Sequence, residues 1–237
     1  MLKVNKSSIT LALFTGALLT GCGGSGGGAA PAPGPVASTL SFPLQSAENT
    51  FVANGVTKTF TVTGTCSGTG SMSVTPAAAG ATFEGAAALS TVETITISFT
   101  NCTPASIAST GTSYFNSSYV ELGLNSVGSV YGVFLTPPII PTSVTVGGTG
   151  VVGTLTLYTD STKATVSGRE DISYVIEPDT STTAIENKII KTYNAAGTLI
   201  QTLQGRARIA MVGAATPISA DIQAANGSTT HQVWTFQ

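Results

Sequence analysis

The stretch FTVTGTC, residues 60–66, decides the fold class because it alternates strictly between two kinds of position. Phe60, Val62 and Cys66 share one phase with a glycine, and threonines occupy the other phase. A period of two with β-branched residues is typical of a strand with one buried face. The stretch TITISF, residues 94–99, repeats the pattern. Both segments are therefore predicted to be half-buried strands.

The same pattern continues over most of the chain. Aromatic and apolar residues alternate with polar ones between 113 and 134, and further strands are predicted at 143–146, 153–159, 171–177, 184–193, 198–211, 218–223 and 229–236. Tyr193 to Thr198 reads as a short hairpin loop, with Gly197 where a positive φ is needed. No segment is predicted to form a long amphipathic helix. The predicted fold class is all-β: an antiparallel sandwich or partly open barrel, with a hairpin meander in the C-terminal half.

The N-terminal segment has the layout of an export signal. Lys3 and Lys6 precede an apolar run of about a dozen residues, which is too short to span a bilayer. Leu19-Thr20-Gly21-Cys22 follows directly. Residues 1–22 resemble the signal of bacterial lipoproteins, in which the cysteine thiol is acylated and the chain is cut before it. The resemblance implies a palmitate-type membrane anchor on Cys22.

The resemblance also implies a location in the cell envelope. Gly23 follows Cys22, and a residue other than Asp there implies the outer membrane of a Gram-negative bacterium, facing the periplasm or the exterior. The predicted organisation is a signal peptide (1–21), the lipidated cysteine with a Gly/Ser/Ala/Pro tether (22–38) and a β domain (39–237). Prolines at 137, 138 and 141 forbid regular ladder pairing and mark either a crossover or a seam near 137–150.

Charge is sparse and unevenly distributed. Only 8% of the residues are charged and the formal net charge is −2, which becomes more acidic when Lys3 and Lys6 leave with the signal. The chain has no basic tract, so nucleic-acid binding is not expected. Residues 40–150 carry very few charges, which predicts a first half that is more completely covered, or sticky. The second half is expected to have one solvated face.

The cysteines predict one cross-link. With Cys22 lipidated, Cys66 and Cys102 remain as an even pair in an oxidising compartment. Cys66 lies on the apolar face of its strand and Cys102 just past the end of another. A disulfide would close a loop of about 36 residues and stabilise the fold by roughly 3–4 kcal/mol. A metal site needs more ligands than the single His231 supplies, so neither a metal nor a cofactor is predicted.

Three further motifs are weak indications of chemistry. Gly148–Gly153 matches G-x-G-x-x-G, but a strand follows it instead of the helix that a dinucleotide site needs, which favours a turn or bulge. The pair Glu170-Asp171 beside Arg169 lacks the spacing of a calcium loop and is interpreted as a solvated strand start. His231 has many serines and aspartates as triad partners, so the pattern is uninformative. No catalytic residue is predicted.

The candidate ligand-binding residues are Tyr114, Tyr119 and Tyr131, which lie among Asn, Ser and Gly residues. Aromatic rings there can stack on sugars or peptide groups, or pack across strands as core and rim residues. The predicted function is a non-enzymatic binding or structural module that contacts an envelope protein, a glycan or an apolar ligand. A surface adhesin belongs to the same class, and a hydrolase is the alternative of a different class. Convergence of His231 with an acid and a serine would favour the hydrolase.

Overall fold

The computed structural model describes residues 34–126, 128, 130–225 and 230–237. Within these ranges the helix is α1 (Leu44–Asn54), and the strands are β1 (Ser41–Phe42), β2 (Val56–Gly64), β3 (Gly68–Val74), β4 (Ala78–Phe83), β5 (Ala86–Phe99), β6 (Ser106–Phe115), β7 (Glu121–Ser126), β8 (Val130–Phe134), β9 (Val144–Thr145), β10 (Thr149–Tyr158), β11 (Val166–Pro178), β12 (Thr183–Asn194), β13 (Leu199–Ala210), β14 (Ala215–Ala224) and β15 (His231–Phe236).

Twelve of these strands form one closed antiparallel barrel. The order around the ring is β2, β15, β14, β13, β12, β11, β10, β8, β7, β6, β5 and β3, and β3 returns to β2. The all-β prediction is confirmed, and so is the meander of consecutive hairpins from β10 to β15. The sheet closes fully because Gly68–Val74 pairs along Glu93–Phe99, which leaves neither strand with a free edge there.

The two ends of the barrel differ. Because neighbouring strands run in opposite directions, the connections after β6, β8, β11 and β13 all lie at one end. Val36 lies at this end, since its N–H donates to Asp179 O at 3.1 Å in the β11–β12 connection. Ser38, also within the predicted tether, donates its hydroxyl to Ser181 O at 2.9 Å. We call this end the tether end. The small sheet of β1 and β9 belongs to it.

One face of helix α1 packs into the barrel from the tether end. It follows β1 at the tether end, and its Leu44 and Ala47 are buried in the same cluster as Leu155 and Ile190 of the barrel wall. The helix ends at Asn54: Gly55 N–H donates to Phe51 O at 2.9 Å, and the φ of 65° at Gly55 turns the chain out of the helix. The sequence pattern did not indicate this helix, because eleven residues give only three turns of apolar spacing.

A second interior cluster confirms the pattern that predicted the first strand. Phe60 and Val62 are buried, and the Phe60 ring stacks on Trp234 with centroids 4.7 Å apart. Phe236 meets Phe60 edge to face at 5.4 Å. Cys66 is buried at the end of the same face. The alternating stretch at 60–66 therefore contributes its apolar phase to the barrel core.

The outer face of the first half is covered with hydroxyl groups. Threonines and serines of β2, β3 and β5 stand in register as the rows Thr57–Ser73–Thr94, Thr59–Ser71–Thr96 and Thr61–Thr69–Ser98. Ser71 and Thr96 are hydrogen-bonded at 2.8 Å. Short hydroxyl side chains give a polar surface without charge. The low charge of the first half therefore does not make this part of its outer face apolar, because hydroxyl groups supply the polarity.

The hairpin of β4 and β5 lies across the outside of β6, β7 and β8. Phe83 stacks on Tyr114 and Tyr131, with centroids 4.6 Å and 5.4 Å away. Gly123 makes this packing feasible, since a Cβ there would lie 2.6 Å from Phe83 Cζ and would also overlap Gly132 O. Glu84 at the hairpin turn forms an ion pair with Lys163 of the β10–β11 loop.

Candidate functional site

The barrel encloses a cavity of about 150 Å³ between α1 and the strands. Its apolar lining comes from both the helix and the wall, including Phe51, Ile95, Phe134 and Leu155. Its charged lining is unusual, because six ionisable side chains face the same space. They are Glu48 of α1, Glu93 of β5, Glu121 of β7, Glu170 of β11, and Glu186 and Lys188 of β12. We call the cavity and these six side chains the acidic chamber.

The strand period places these carboxylates inside. Glu93 shares its phase with Ile95 and Ile97, which are buried. Glu170 shares its phase with buried residues of β11, beginning with Ile172. Successive side chains of a strand point to opposite faces, so residues in phase with the core must point into the barrel. Five of the chain's eleven acidic residues thus lie in its interior.

The helix is held in the chamber by an ion pair. Lys188 Nζ pairs with Glu48 of α1 and lies 3.8 Å from Glu186 Oε1. Burial would lower the pKa of Lys188, but the attraction of Glu48 and Glu186 outweighs burial and raises it. Lys188 therefore stays charged and neutralises one carboxylate. The other carboxyl groups of the chamber share no second cation among the described lining residues.

The uncompensated carboxyl groups hold their protons to unusually high pH. Burial raises the pKa of Glu121 to about 7, despite the opposing attraction of Lys188. Burial and then repulsion from Glu121 raise the pKa of Glu170 to about 8. The pKa of Glu186 rises to about 8 through burial and the charge of Glu48. Burial, with repulsion from Glu121, also raises the pKa of Glu93 well above its ordinary value. The chamber is therefore largely protonated near pH 7 and poised to ionise.

Glu170 makes only one weak hydrogen bond through its carboxyl group. Its side chain is only 3% exposed. Within the described part of the chain its carboxyl group accepts one hydrogen bond, from Thr192 Oγ1 to Oε1 at the long distance of 3.5 Å. A carboxyl group that faces a cavity with a single long hydrogen bond can accept a further donor. Water or a ligand with N–H groups would supply it.

The chamber does not have the geometry of a metal site. Among the described residues no three His, Cys, Asp or Glu side chains come close enough together to hold a metal ion. The carboxyl groups lie on four different strands and the helix, so they surround a guest instead of converging on one point. This arrangement fits a small organic cation with several N–H donors better than a metal ion.

The three predicted tyrosines do not form one surface. Tyr114 and Tyr131 meet at Phe83 on the outside of the barrel, where their rings are engaged in packing. The Tyr131 hydroxyl donates to Glu84 Oε1 at 2.7 Å. Tyr119 lies apart, in the β6–β7 connection with a φ of 61°, beside Gln45 and Asn49 of α1. The packing role that the sequence analysis kept as an alternative describes Tyr114 and Tyr131.

The predicted disulfide is confirmed. Cys66 and Cys102 are bonded, with their Cα atoms 5.7 Å apart and 36 residues between them in sequence. The bond joins the β2–β3 and β5–β6 turns at the end opposite the tether end. Cys22, the predicted lipidation site, lies outside the described residues.

Of the residues considered for catalysis, His231 lies beside one aspartate at the barrel rim, away from Glu170 and Asp171. His231 Nε2 lies 2.9 Å from Asp221 Oδ1 at the barrel rim, where the histidine side chain is about half exposed. Asp171 faces outward and pairs with Arg169 Nε at 3.2 Å. Glu170 faces the chamber, so reading the Glu170-Asp171 pair as a solvated strand start was wrong for Glu170. Adjacent residues of a strand point to opposite faces, and this alternation was the signal available in sequence.

The glycine motif has a structural role. Gly147 and Gly148 form a turn before β10, and the pairing of β10 with β11 shifts register between Val151 and Gly153. The prediction of a turn or bulge at Gly148–Gly153 is confirmed.

Comparison with known proteins adds no family to these observations. No family model matches the chain, and no curated protein and no solved structure matches it either. In the part of the chain that the structure describes, no helix is long and apolar enough to cross a membrane.

Proposed function

We propose that the protein is a membrane-tethered, non-enzymatic binding module of the cell envelope, and that its acidic chamber holds a small primary alkylammonium cation. One observation carries the proposal: a cavity of about 150 Å³ with an apolar wall, five carboxyl groups and a single lysine. The lipobox resemblance at residues 19–22 supports the tether. Among the described residues no His, acid and Ser converge in one cleft, and this supports a binding role.

The cavity volume limits the ligand. A cavity of about 150 Å³ in another protein accommodates benzene, a molecule of six heavy atoms. Pockets for drug-sized ligands are larger, on the order of 300–1,000 Å³. The chamber is therefore matched to a ligand of about six heavy atoms. A glycan chain, a peptide or a lipid would not fit in it.

The charge of the lining favours a cation. Lys188 pairs with Glu48 and lies 3.8 Å from Glu186, while Glu93, Glu121 and Glu170 form no ion pair among the described residues. An ammonium group brings one positive charge and three N–H donors. One of these donors would bond the carboxyl group of Glu170, and the alkyl part would pack against Phe51 and Leu155.

Binding should be coupled to proton release. Near pH 7 the carboxyl groups of Glu170 and Glu186 hold their protons, so an ammonium guest must displace a proton to gain an ion pair. Affinity should therefore rise as pH increases from 6 to 8, by up to about tenfold per pH unit for one proton released.

Calorimetric titration of the detergent-solubilised mature protein with butylammonium tests the proposal. Binding should be stronger at pH 8 than at pH 6, and titrations in two buffers with different ionisation enthalpies should report a released proton. Glu170→Gln should weaken binding, whereas Asp171→Asn, the outward-facing neighbour, should not. Equal heats for butylammonium and butanol, or no binding of either at millimolar concentration, would contradict the proposal.

A hydrolase is the second candidate, and one observation favours it. Glu121 and Glu170 have pKa values of about 7 and about 8 in the same cavity, and carboxyl groups tuned in this way act as general acids in glycosidases. The small cavity disfavours polymeric substrates. Turnover of small aryl esters or aryl glycosides that disappears in Glu170→Gln would favour this candidate over binding alone.

A further inference from the structure

Exposed apolar side chains are concentrated at the tether end of the barrel. Eight large hydrophobic side chains stand exposed among the described residues. Two of them, Val92 and Val166, lie elsewhere on the barrel. The other six belong to the tether end: Val36, Leu135, Ile139, Val151, Met211 and Val212.

Four of these six side chains project from connections between strands, whereas Val151 lies in β10 and Val36 precedes β1. Leu135 and Ile139 lie in the β8–β9 connection and are 70% and 71% exposed. Val212 lies in the β13–β14 turn and is 86% exposed. Turns of soluble surfaces normally carry polar residues, and apolar residues grouped at one site mark an interaction surface.

The chain enters the barrel at this same end. Gly34 is the first described residue, and Val36 is already hydrogen-bonded to Asp179 there. Eleven residues lie between Cys22 and Gly34, and a chain of that length reaches at most about 40 Å. An acyl anchor on Cys22 would therefore keep the tether end closer to the bilayer than the opposite end.

The charges near Val36 would not oppose contact with lipid. Arg208 Nε lies 2.6 Å from Asp179 Oδ2, and Arg206 Nε lies 2.9 Å from Glu177 Oε2. Arg208 lowers the pKa of Asp179, so this carboxyl group stays ionised and paired. Each acid has its counter-charge within the barrel surface, which limits repulsion from anionic headgroups.

We propose that the tether end rests on the membrane surface, with the side chains of Ile139 and Val212 inserted at the boundary between headgroups and acyl chains. This inference rests on the proposed lipid anchor at Cys22. Apolar side chains inserted at that depth add to the hold of acyl chains, and two weak signals together keep a protein on a membrane. The opposite end, with the disulfide and His231, then faces away from the bilayer.

Depth-dependent fluorescence quenching of the mature lipoprotein tests this orientation. Ile139→Cys, Val212→Cys and, as the control at the opposite end, Val166→Cys are each labelled with an environment-sensitive dye. The proteins are reconstituted in phosphatidylethanolamine–phosphatidylglycerol vesicles that contain nitroxide-labelled lipid. We expect at least a twofold loss of emission at positions 139 and 212 and little loss at 166.

The result separates the orientation from the anchor. Equal quenching at all three positions, or none at 139 and 212 in a protein shown by mass to be acylated, overturns the orientation and leaves the anchor standing. A mature protein without acyl chains overturns both. With the dye moved to Leu135→Cys at the same end, adding Ile139→Asp and Val212→Asp should abolish the quenching difference from position 166 while the Trp234 emission of the folded barrel is unchanged.

Discussion

Replacing Glu170 with glutamine should make the protein more stable in alkaline solution. Burial raises the pKa of Glu170 to about 8 from an ordinary value of 4.5. Between these pH values the folded state binds a proton that the unfolded state has lost, so wild-type stability falls as pH rises through 8. Glutamine keeps the shape of the side chain and has no charge to bury.

The size of the effect follows from the shift in pKa. One pKa unit corresponds to about 1.4 kcal/mol, so a shift of about 3.5 units sets an upper bound of about 5 kcal/mol. Water admitted to the cavity will solvate the carboxylate and reduce the penalty, because buried sites behave as media of intermediate dielectric constant. We expect a gain of about 2 kcal/mol for Glu170→Gln at pH 9 and no gain at pH 4, where both side chains are neutral.

Urea unfolding followed by tryptophan emission measures this difference. Trp234 is the only tryptophan of the chain and is fully buried against Phe60, so its emission reports the folded barrel. Asp171→Asn is the matched control, because Asp171 is the next residue, faces outward and forms a partly exposed pair with Arg169. That variant should change stability by less than about 1 kcal/mol at either pH. If the difference in unfolding free energy between Glu170→Gln and wild type is the same at pH 4 and pH 9, Glu170 is not a desolvated acid and the account of the chamber is wrong.

Four other outcomes are expected. Cys22→Ser should leave the membrane fraction or remain unprocessed, and acylation equal to wild type would refute the anchor. Thiol titration of the folded protein should find Cys66 and Cys102 unreactive until reduction, and replacing both with alanine should cost roughly 3–4 kcal/mol in urea unfolding; reactive thiols before reduction would contradict the bond. Gly123→Ala should cost more than about 2 kcal/mol, because its Cβ has no space beside Phe83 and the backbone has a φ of 157°; an unchanged unfolding midpoint would count against the hairpin packing. Wild type and His231→Ala should show the same background rates on esterase, glycosidase and peptidase substrates, and activity lost with the histidine would promote the hydrolase.

The alternation of residues along the chain predicts where strands form. It also indicates which charged side chains share a face with the apolar ones. Ile95 and Ile97 predict a strand at residues 94–99. Glu93 has the same phase, so its side chain also points into the barrel. The same alternation would have separated Glu170 from Asp171. The three tyrosines were predicted to bind a ligand because of the composition around them. Composition does not distinguish an exposed aromatic ring from one that Phe83 covers.

The sequence by itself determined the properties that depend on near neighbours: the strands, the hairpin at Gly197, the bulge at Gly148–Gly153 and the pairing of two cysteines left in an oxidising compartment. Only the tertiary structure decided that the sheet closes on itself, that one face of α1 packs against its inner face and that Glu93, Glu121, Glu170 and Glu186 face one cavity. The physical reason is that closure depends on pairing between β3 and β5 and between β2 and β15, strands brought together by the whole ring. A period of two tells which side chains share a face, and the closed barrel decides that this face surrounds a chamber.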